Sequence, residues 1–325
     1  MLSMIKRKHS LGVGVCKALL NLNERMIMSP TNELDKFIVK NFPSLFPPGI
    51  GGARFVYHYT TVDTFEVLTR ETADFMCTYC GALNDKAEFA TGIKLLERFF
   101  ASNSSLAYGV SSTTLRNIAT EPEFAPWTMS FSLDGDSLNQ WIAYTDRHNG
   151  GVSIGFDIDQ LLNTVNNLKT ANQLMYFVPC LYESAHRNEI EMLLDFLFGP
   201  YRDGLYKLSL ERGLVIDHDA LMKMITLSIA LIFAAMVKDE SFRQEQEWRL
   251  VLQPLDELLT QKCDFIGGKP RLRSNLFGKD FILMRSIKDI ICSPHGQMYG
   301  RACMIARLRN IPVMPRMSKS TYISQ

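Results

Sequence analysis

No glycine-rich loop of dinucleotide-cradling or phosphate-cradling spacing follows any strand-like run in this 325-residue chain, which excludes the Rossmann and phosphate-loop classes. Long apolar runs are scarce too. The segment Ile225 to Val237 has 13 residues, too few to span a bilayer and suited to a buried helix, so no membrane association is expected. Charge imbalance is missing: 35 Lys and Arg face 34 Asp and Glu, and a net charge of +1 gives no global reason for a polyanion partner, although local basic patches stay open. There is no internal repeat and no low-complexity tract. Seven scattered cysteines include one CTYC pair, Cys77 and Cys80, with the gap of a metal or redox site. No second pair and no zinc-type histidine pattern accompanies it, so buried thiols and no metal are expected. Those thiols favour a reducing, cytoplasmic setting over a disulfide framework. The basic and then apolar N-terminus lacks a convincing cleavage site and reads as an amphipathic helix.

What is present describes an ordinary globular chain, 46% hydrophobic and 21% charged, with ample core. β-Branched and aromatic runs bounded by Gly, Pro, Asn or Asp predict strands at 55–60, 74–78, 127–132, 151–157, 174–182, 247–253, 281–284, 287–292 and 312–317. Helices are expected over 62–70, 86–100 and 137–144, and the stretch from 187 to about 240 reads as wholly helical. The fold class is α+β with a mixed or antiparallel sheet. An N-terminal helical extension, 1–53, ends in the breaker-rich FPSLFPPGIGG; a main domain, 54–325, follows. Within that domain 187–240 forms a helical insertion between strands, or a lid over the sheet.

Four clusters combine polar chemistry with apolar flanks. In YHYT, His58 and Tyr59 point to opposite faces of a strand, so one faces a cleft while the other packs; a hydrogen-bonded core histidine is the plainer reading. In LNDKAEF, Asn84 or Asp85 caps a helix whose first turn holds Glu88, and capping accounts for nearly all of it. In the segment SFSLDGDSLNQWIAY, Trp141 and Tyr144 share a helix face, more often core than platform, yet suited to stacking on a planar ring. In EQEWRLV, Glu245 and Glu247 stand two apart, so a strand would project both to one side. Arg243, Arg249 or Lys238 would satisfy them as surface ion pairs, but the apolar run that follows sets Glu247 at the edge of a core.

In their order along the chain these clusters resemble a widespread bacterial family known only as a domain of unknown function, over roughly residues 54 to 320. More distantly the pattern is similar to the ADP-ribosyltransferase superfamily, whose fold the sheet core would then share. In its His-Tyr-Glu branch a first-strand histidine holds the adenosine ribose, a helical tyrosine stacks the nicotinamide and a late-strand glutamate binds the nicotinamide ribose. By position the resemblance implies these roles for His58, Tyr144 and Glu247, with Tyr59, Thr60, Ser130 and Trp141 beside them in the NAD site. The Glu-x-Glu and Ser-Thr-Ser elements of the Arg-Ser-Glu branch likewise resemble Glu245 with Glu247, and Ser130 to Ser132. Glu245 would then be the acceptor-facing carboxylate. Tyr59 stands where the branch has glycine, and the helical stretch exceeds the minimal transferase core.

The implied chemistry is an NAD-dependent mono-ADP-ribosyl transfer to a protein or nucleic acid, with release of nicotinamide. NAD is the substrate and no metal takes part. Analogy to the superfamily adds a toxin or antiviral defence role and a neutralising partner protein. An NAD glycohydrolase would use the same residues with water as acceptor. A non-catalytic sensing or partner-binding module is the rival from another class, because packing and capping explain each cluster singly.

Overall fold

The computed structural model describes residues 31–46, 54–70, 75–83, 88–119, 125–146, 149–167, 173–211, 217–254, 263–266, 268–273, 286–294 and 298–320. Its elements in order are α1 (Thr31–Asn41), β1 (Phe55–Thr60), α2 (Val62–Leu68), β2 (Met76–Tyr79), α3 (Glu88–Ser102), α4 (Ser112–Ala119), β3 (Trp127–Ser132), α5 (Leu138–Tyr144), β4 (Val152–Asp157) and α6 (Ile158–Asn167). There follow β5 (Gln173–Pro179), β6 (Leu181–Tyr182), α7 (Arg187–Phe196), α8 (Arg202–Glu211), α9 (His218–Met236), β7 (Val237–Lys238), β8 (Glu247–Pro254), β9 (Asp264–Ile266), β10 (Lys269–Arg273), β11 (Ile287–Cys292), α10 (Tyr299–Leu308) and β12 (Arg316–Met317). Helices and a mostly antiparallel sheet make this an α+β chain; the β11–β12 pair and the small β6–β7 pair run parallel.

The sheet order is β12-β11-β4-β1-β3-β2-β10-β9, with β8 lying along β3 and β5 along β8. The branch at β3 builds the site. Strand β8 follows one edge of β3 along its length, from Trp127 opposite Leu252 to Ser132 opposite Glu247. The other edge is divided: β1 reaches it at Ser132, opposite Tyr57, while β2 meets it at Thr128 and Trp127. Between these points the two neighbours diverge and leave a gap in the sheet.

Helix α9 is the centre of the core. Asp217 caps it by accepting from the Ala220 N–H at 3.1 Å, and residues from Leu221 to Met236 are buried almost without interruption. Among the described residues it is the one helix long and apolar enough to cross a membrane, and 78% of its apolar window is buried within the fold. It crosses α3 so closely that a Cβ on Gly92 would stand 2.5 Å from the Ala234 Cα. The stretch expected as an insertion or lid lies in the chain between β5–β6 and β7–β8, and β5 pairs with β8, so it is inserted between two strands of one sheet. Helix α9 makes it part of the core and not a lid: α7, a five-residue π turn through Leu197–Tyr201, α8 and α9.

The boundary expected at residue 53 does not mark the edge of the core. Leu34, Ile38, Phe42, Leu45 and Phe46 are buried in the main hydrophobic cluster. Phe37 stacks on Phe196 with ring centroids 3.9 Å apart, and the Trp248 Nε1–H donates to the Leu45 carbonyl at 3.3 Å. The amphipathic pattern of α1 fits a helix docked on a larger body, not a free arm. Residues 1–30 and 47–53 lie outside the described residues, as do the strand expected at 281–284 and the Asn84–Asp85 cap.

Candidate functional site

A cleft of about 790 Å³ opens where β1 and β2 part from β3. Its walls include His58 and Thr60 from β1, Met76 and Thr78 from β2, Ser130 and Ser132 from β3, and Tyr144 from the last turn of α5. Lys238, Glu245 and Glu247 close one side, and Lys269 with Arg271 contribute from β10. The volume lies within the range of small-molecule and cofactor sites.

The position of His58 follows from the branch in the sheet. The Leu133 N–H donates to the Gln246 carbonyl at 3.1 Å, so odd-numbered residues of β3 exchange their hydrogen bonds with β8. Even-numbered residues aim theirs at the other edge, and there Ser130 falls in the gap between β1 and β2. The His58 ring fills in: its Nδ1 lies 3.0 Å from the Ser130 carbonyl oxygen. A carbonyl only accepts, so Nδ1 carries the proton and Nε2 carries the lone pair. Burial pushes the imidazole down to about 4, outweighing the opposing Ser130 bond. His58 is therefore a neutral ring at physiological pH, touching Phe131 with centroids 5.8 Å apart.

Glu245 and Glu247 do come together, but not by strand alternation. Glu245 ends a 3₁₀ turn, Glu240–Glu245, and Gln246 adopts a left-handed conformation with φ 44°; only Glu247 begins β8. What joins the carboxylates is Lys238. The parallel β6–β7 pair holds it at the end of α9, and its Nζ donates to Glu245 Oε2 at 2.6 Å and to Glu247 Oε2. The ammonium also lies 4.8 Å from the centre of the Phe242 ring. The second oxygen of Glu247 accepts from Arg249 Nε at 2.7 Å, and the Arg249 Nη1–H goes on to the Ala235 carbonyl at 2.8 Å. The Glu247 backbone N–H donates to the Tyr182 hydroxyl at 3.2 Å.

The surface ion pairs expected around these glutamates are thus a buried quartet of two acids and two cations. Lys238, Glu247 and Arg249 are at most 5% exposed, against 18% for the Glu245 side chain. Burial alone would raise the Glu247 carboxyl, but the charges of Arg249 and Lys238 and the hydrogen bonds they donate hold it well below the ordinary value. Of the two glutamates, Glu245 is the more open to the cleft.

The remaining expected site residues divide. Thr60 and Ser130 line the cleft, and Tyr144, 37% exposed, stands at its rim. Tyr59 borders it, but the phenol packs edge-on against Trp141 at 4.7 Å. The Tyr59 hydroxyl donates to the Asp134 carbonyl and accepts from the Ser137 N–H, each at 2.8 Å. Trp141 is 3% exposed, donates from Nε1 to Asp136 at 2.9 Å, and lies outside the cleft wall. A place for Trp141 against a bound ring is corrected: it is the prop behind Tyr59. Cys77 and Cys80 are buried thiols, and no group of three or more metal-binding side chains occurs among the described residues.

Sequence reasoning missed Gln140, Lys269 and Arg271 on the cleft. The last two were legible in principle, since DFI-GG-KPRLR carries the two-glycine signal of a hairpin.

Residues 140–250 match the model of a family described as a protein of unknown function (DUF2971). The match runs from α5 into β8, so it takes in Tyr144, Lys238, Glu245 and Glu247 but neither His58 nor β10. No curated protein and no solved structure matches the chain.

Proposed function

We propose that the cleft binds NAD and transfers ADP-ribose from it, releasing nicotinamide. One observation carries the reading: His58, Tyr144, Glu245 and Glu247, far apart in the chain, line a single cleft of about 790 Å³. The neutral His58 presents Nε2 as an acceptor for a ribose hydroxyl and positions the sugar without acting as a base. Tyr144 at the rim offers a ring on which the nicotinamide stacks. As the C1′–N bond breaks, nicotinamide leaves with the bonding pair and positive charge develops at C1′. Carboxylates fixed nearby favour that charge, and their preorganisation supplies the effect. An acceptor oxygen or nitrogen then bonds C1′, and its proton passes to a base, for which the Glu245 carboxylate is the better placed of the two. Glu247, bridged by Lys238 and Arg249, holds Lys238 and the ribose in register.

The acceptor, a neutralising partner, a cytoplasmic toxin or defence role and the likeness to the transferase fold belong to the same proposal and rest on the resemblance of the motifs. A second reading has its own support: both oxygens of Glu247 are taken by cations, as suits a nucleotide-sensing module without turnover. Incubation with adenine-labelled NAD and cell lysate, followed by nuclease or protease digestion, separates them. Nicotinamide release with label on a digestible macromolecule supports transfer. NAD binding without nicotinamide release favours the sensor.

A further inference from the structure

Arg271 is a half-buried cation in the cleft wall, and its partners are unusual. Strand β10 pairs with β2 so that Arg271 stands opposite Thr78, and both side chains line the cleft. The Arg271 Nη1–H donates to Thr78 Oγ1, a neutral acceptor. Among the described residues no carboxylate lies within ion-pair distance of this guanidinium. The cleft's acids are engaged elsewhere: Asp63 with Arg301 at 2.6 Å, and Glu245 and Glu247 with Lys238. The nearest β10 guanidinium, Arg273, lies 4.0 Å from Asp264. Burial pulls Arg271 below its ordinary value, yet a guanidinium stays charged. Arg271 and His58 line the same cleft, and the guanidinium's charge helps keep the His58 ring neutral. A partly desolvated cation without a counter-charge is costly, and an anionic ligand would offset that cost.

We propose that Arg271, anchored by Thr78 and joined by Lys269 on the same face of β10, is a diphosphate subsite of the cleft and takes the pyrophosphate of a nucleoside diphosphate. The planar fork suits phosphate oxygens bidentately, and the Thr78 bond fixes its plane before the ligand arrives. The subsite deepens the NAD reading, on which its assignment to NAD rests, because a dinucleotide's pyrophosphate lies beside the ribose that His58 would hold. Anion binding itself does not require turnover.

The test measures binding of inorganic pyrophosphate, ADP, adenosine and NAD by calorimetry to the full chain, Arg271→Met, Arg271→Lys and Thr78→Val. The parent should bind ADP about 10- to 100-fold more tightly than adenosine, the scale of one or two charge-assisted hydrogen bonds. Pyrophosphate alone should compete with ADP. Arg271→Met should abolish the preference and leave adenosine unchanged, with Arg271→Lys and Thr78→Val intermediate. Because Arg271→Met replaces an unpaired charge by an apolar chain of similar length, it should unfold no earlier than the parent without ligand, and pyrophosphate should raise the parent's midpoint alone. Equal binding of ADP and adenosine by the parent, or an ADP preference that survives in a folded Arg271→Met, overturns the subsite. If Arg271→Met fails to fold, Thr78→Val decides: an ADP preference undiminished from the parent's in folded Thr78→Val overturns the subsite. Arg271-dependent ADP binding without nicotinamide release sinks the transfer reading and leaves the subsite standing. Nicotinamide release with an unchanged KM for NAD in Arg271→Met does the reverse.

Discussion

Glu247→Gln tests the quartet at its centre. The wild-type carboxylate accepts from Arg249 at 2.7 Å through one oxygen and from Lys238 through the other, and all three side chains are at most 5% exposed. The amide keeps one acceptor but loses the charge, so two buried cations remain against Glu245 alone. Breaking a buried pair by removing one partner costs about 3–5 kcal/mol, and the retained carbonyl acceptor sets the expectation near ~3 kcal/mol. Urea unfolding at an unchanged m value should show the loss as a lower midpoint. Lys238→Met in the same background removes the orphaned ammonium, so the double variant should lose about 1–3 kcal/mol less than the two singles summed. The effect should also depend on pH. With its folded value held below the ordinary 4.5, Glu247 contributes stability that is complete above that pH and drains as the pH falls further, so Glu247→Gln should flatten the acid limb. A parent-like midpoint, or strictly additive losses, would show that the quartet is a surface arrangement and refute this reasoning. The same variant bears on chemistry only if it stays folded, in which case nicotinamide release should fall about 10²–10³-fold.

Glu245→Gln should spare slow nicotinamide release while reducing label transfer to an acceptor, measured side by side; equal effects on both would remove its acceptor role. His58, held to about 4 by burial, should show no ring titration between pH 5.5 and 7.5 by NMR, and stability should fall as the pH drops from 6.5 towards 4; a midpoint near 6.5 would contradict the buried, Nδ1-protonated ring. Gly92→Ala should destabilise by about 1–3 kcal/mol despite better helix propensity, since its Cβ meets the α9 backbone at 2.5 Å; a midpoint at or above the parent's would place the helices further apart. Phe42→Ala should cost about 3–5 kcal/mol, and removal of residues 1–46 should abolish cooperative unfolding; a folded truncation would restore a domain boundary near residue 53.

The elements that were plain in the sequence are those whose residues mostly say the same thing. FVYHYT, WTMSFS and IKDIIC are each at least half β-branched or aromatic, and each forms a strand over the expected span. The run 174–182 breaks at Cys180, after Pro179, and 312–317 shrinks to Arg316–Met317 where Pro312 and Pro315 lack the N–H a ladder needs. Apart from its two glycines the β9–β10 hairpin gave little signal, because β9 is exposed and the half-buried β10 holds Lys and Arg with only Leu272 buried. Helix α1 was visible as a helix, but its burial against Phe196, and that of Phe46 beyond it against Trp248, are long-range facts that no local pattern encodes.

The glutamate pair shows how a sequence rule reaches the right neighbourhood by the wrong route. Period two in a strand would have set Glu245 and Glu247 on one side. In the fold the chain reverses at Gln246, a non-glycine residue in the left-handed region, and the alternation never operates there. The carboxylates meet because Lys238, the first charge after a long apolar helix, is delivered to the point where the turn enters β8. A lysine placed so deep needs both acids to be charged, and both acids need the lysine; the three are one electrostatic unit. A strained Gln246 follows from that unit. With φ 44° it should gain from Gly, which adopts the region freely, so Gln246→Gly should leave stability near the parent's or above it. If instead Gln246→Gly loosens the turn, nicotinamide release should fall with no change in the Glu247-dependent acid limb. Loss of that limb as well would mean that the backbone at Gln246, and not Lys238, is what holds the two carboxylates together.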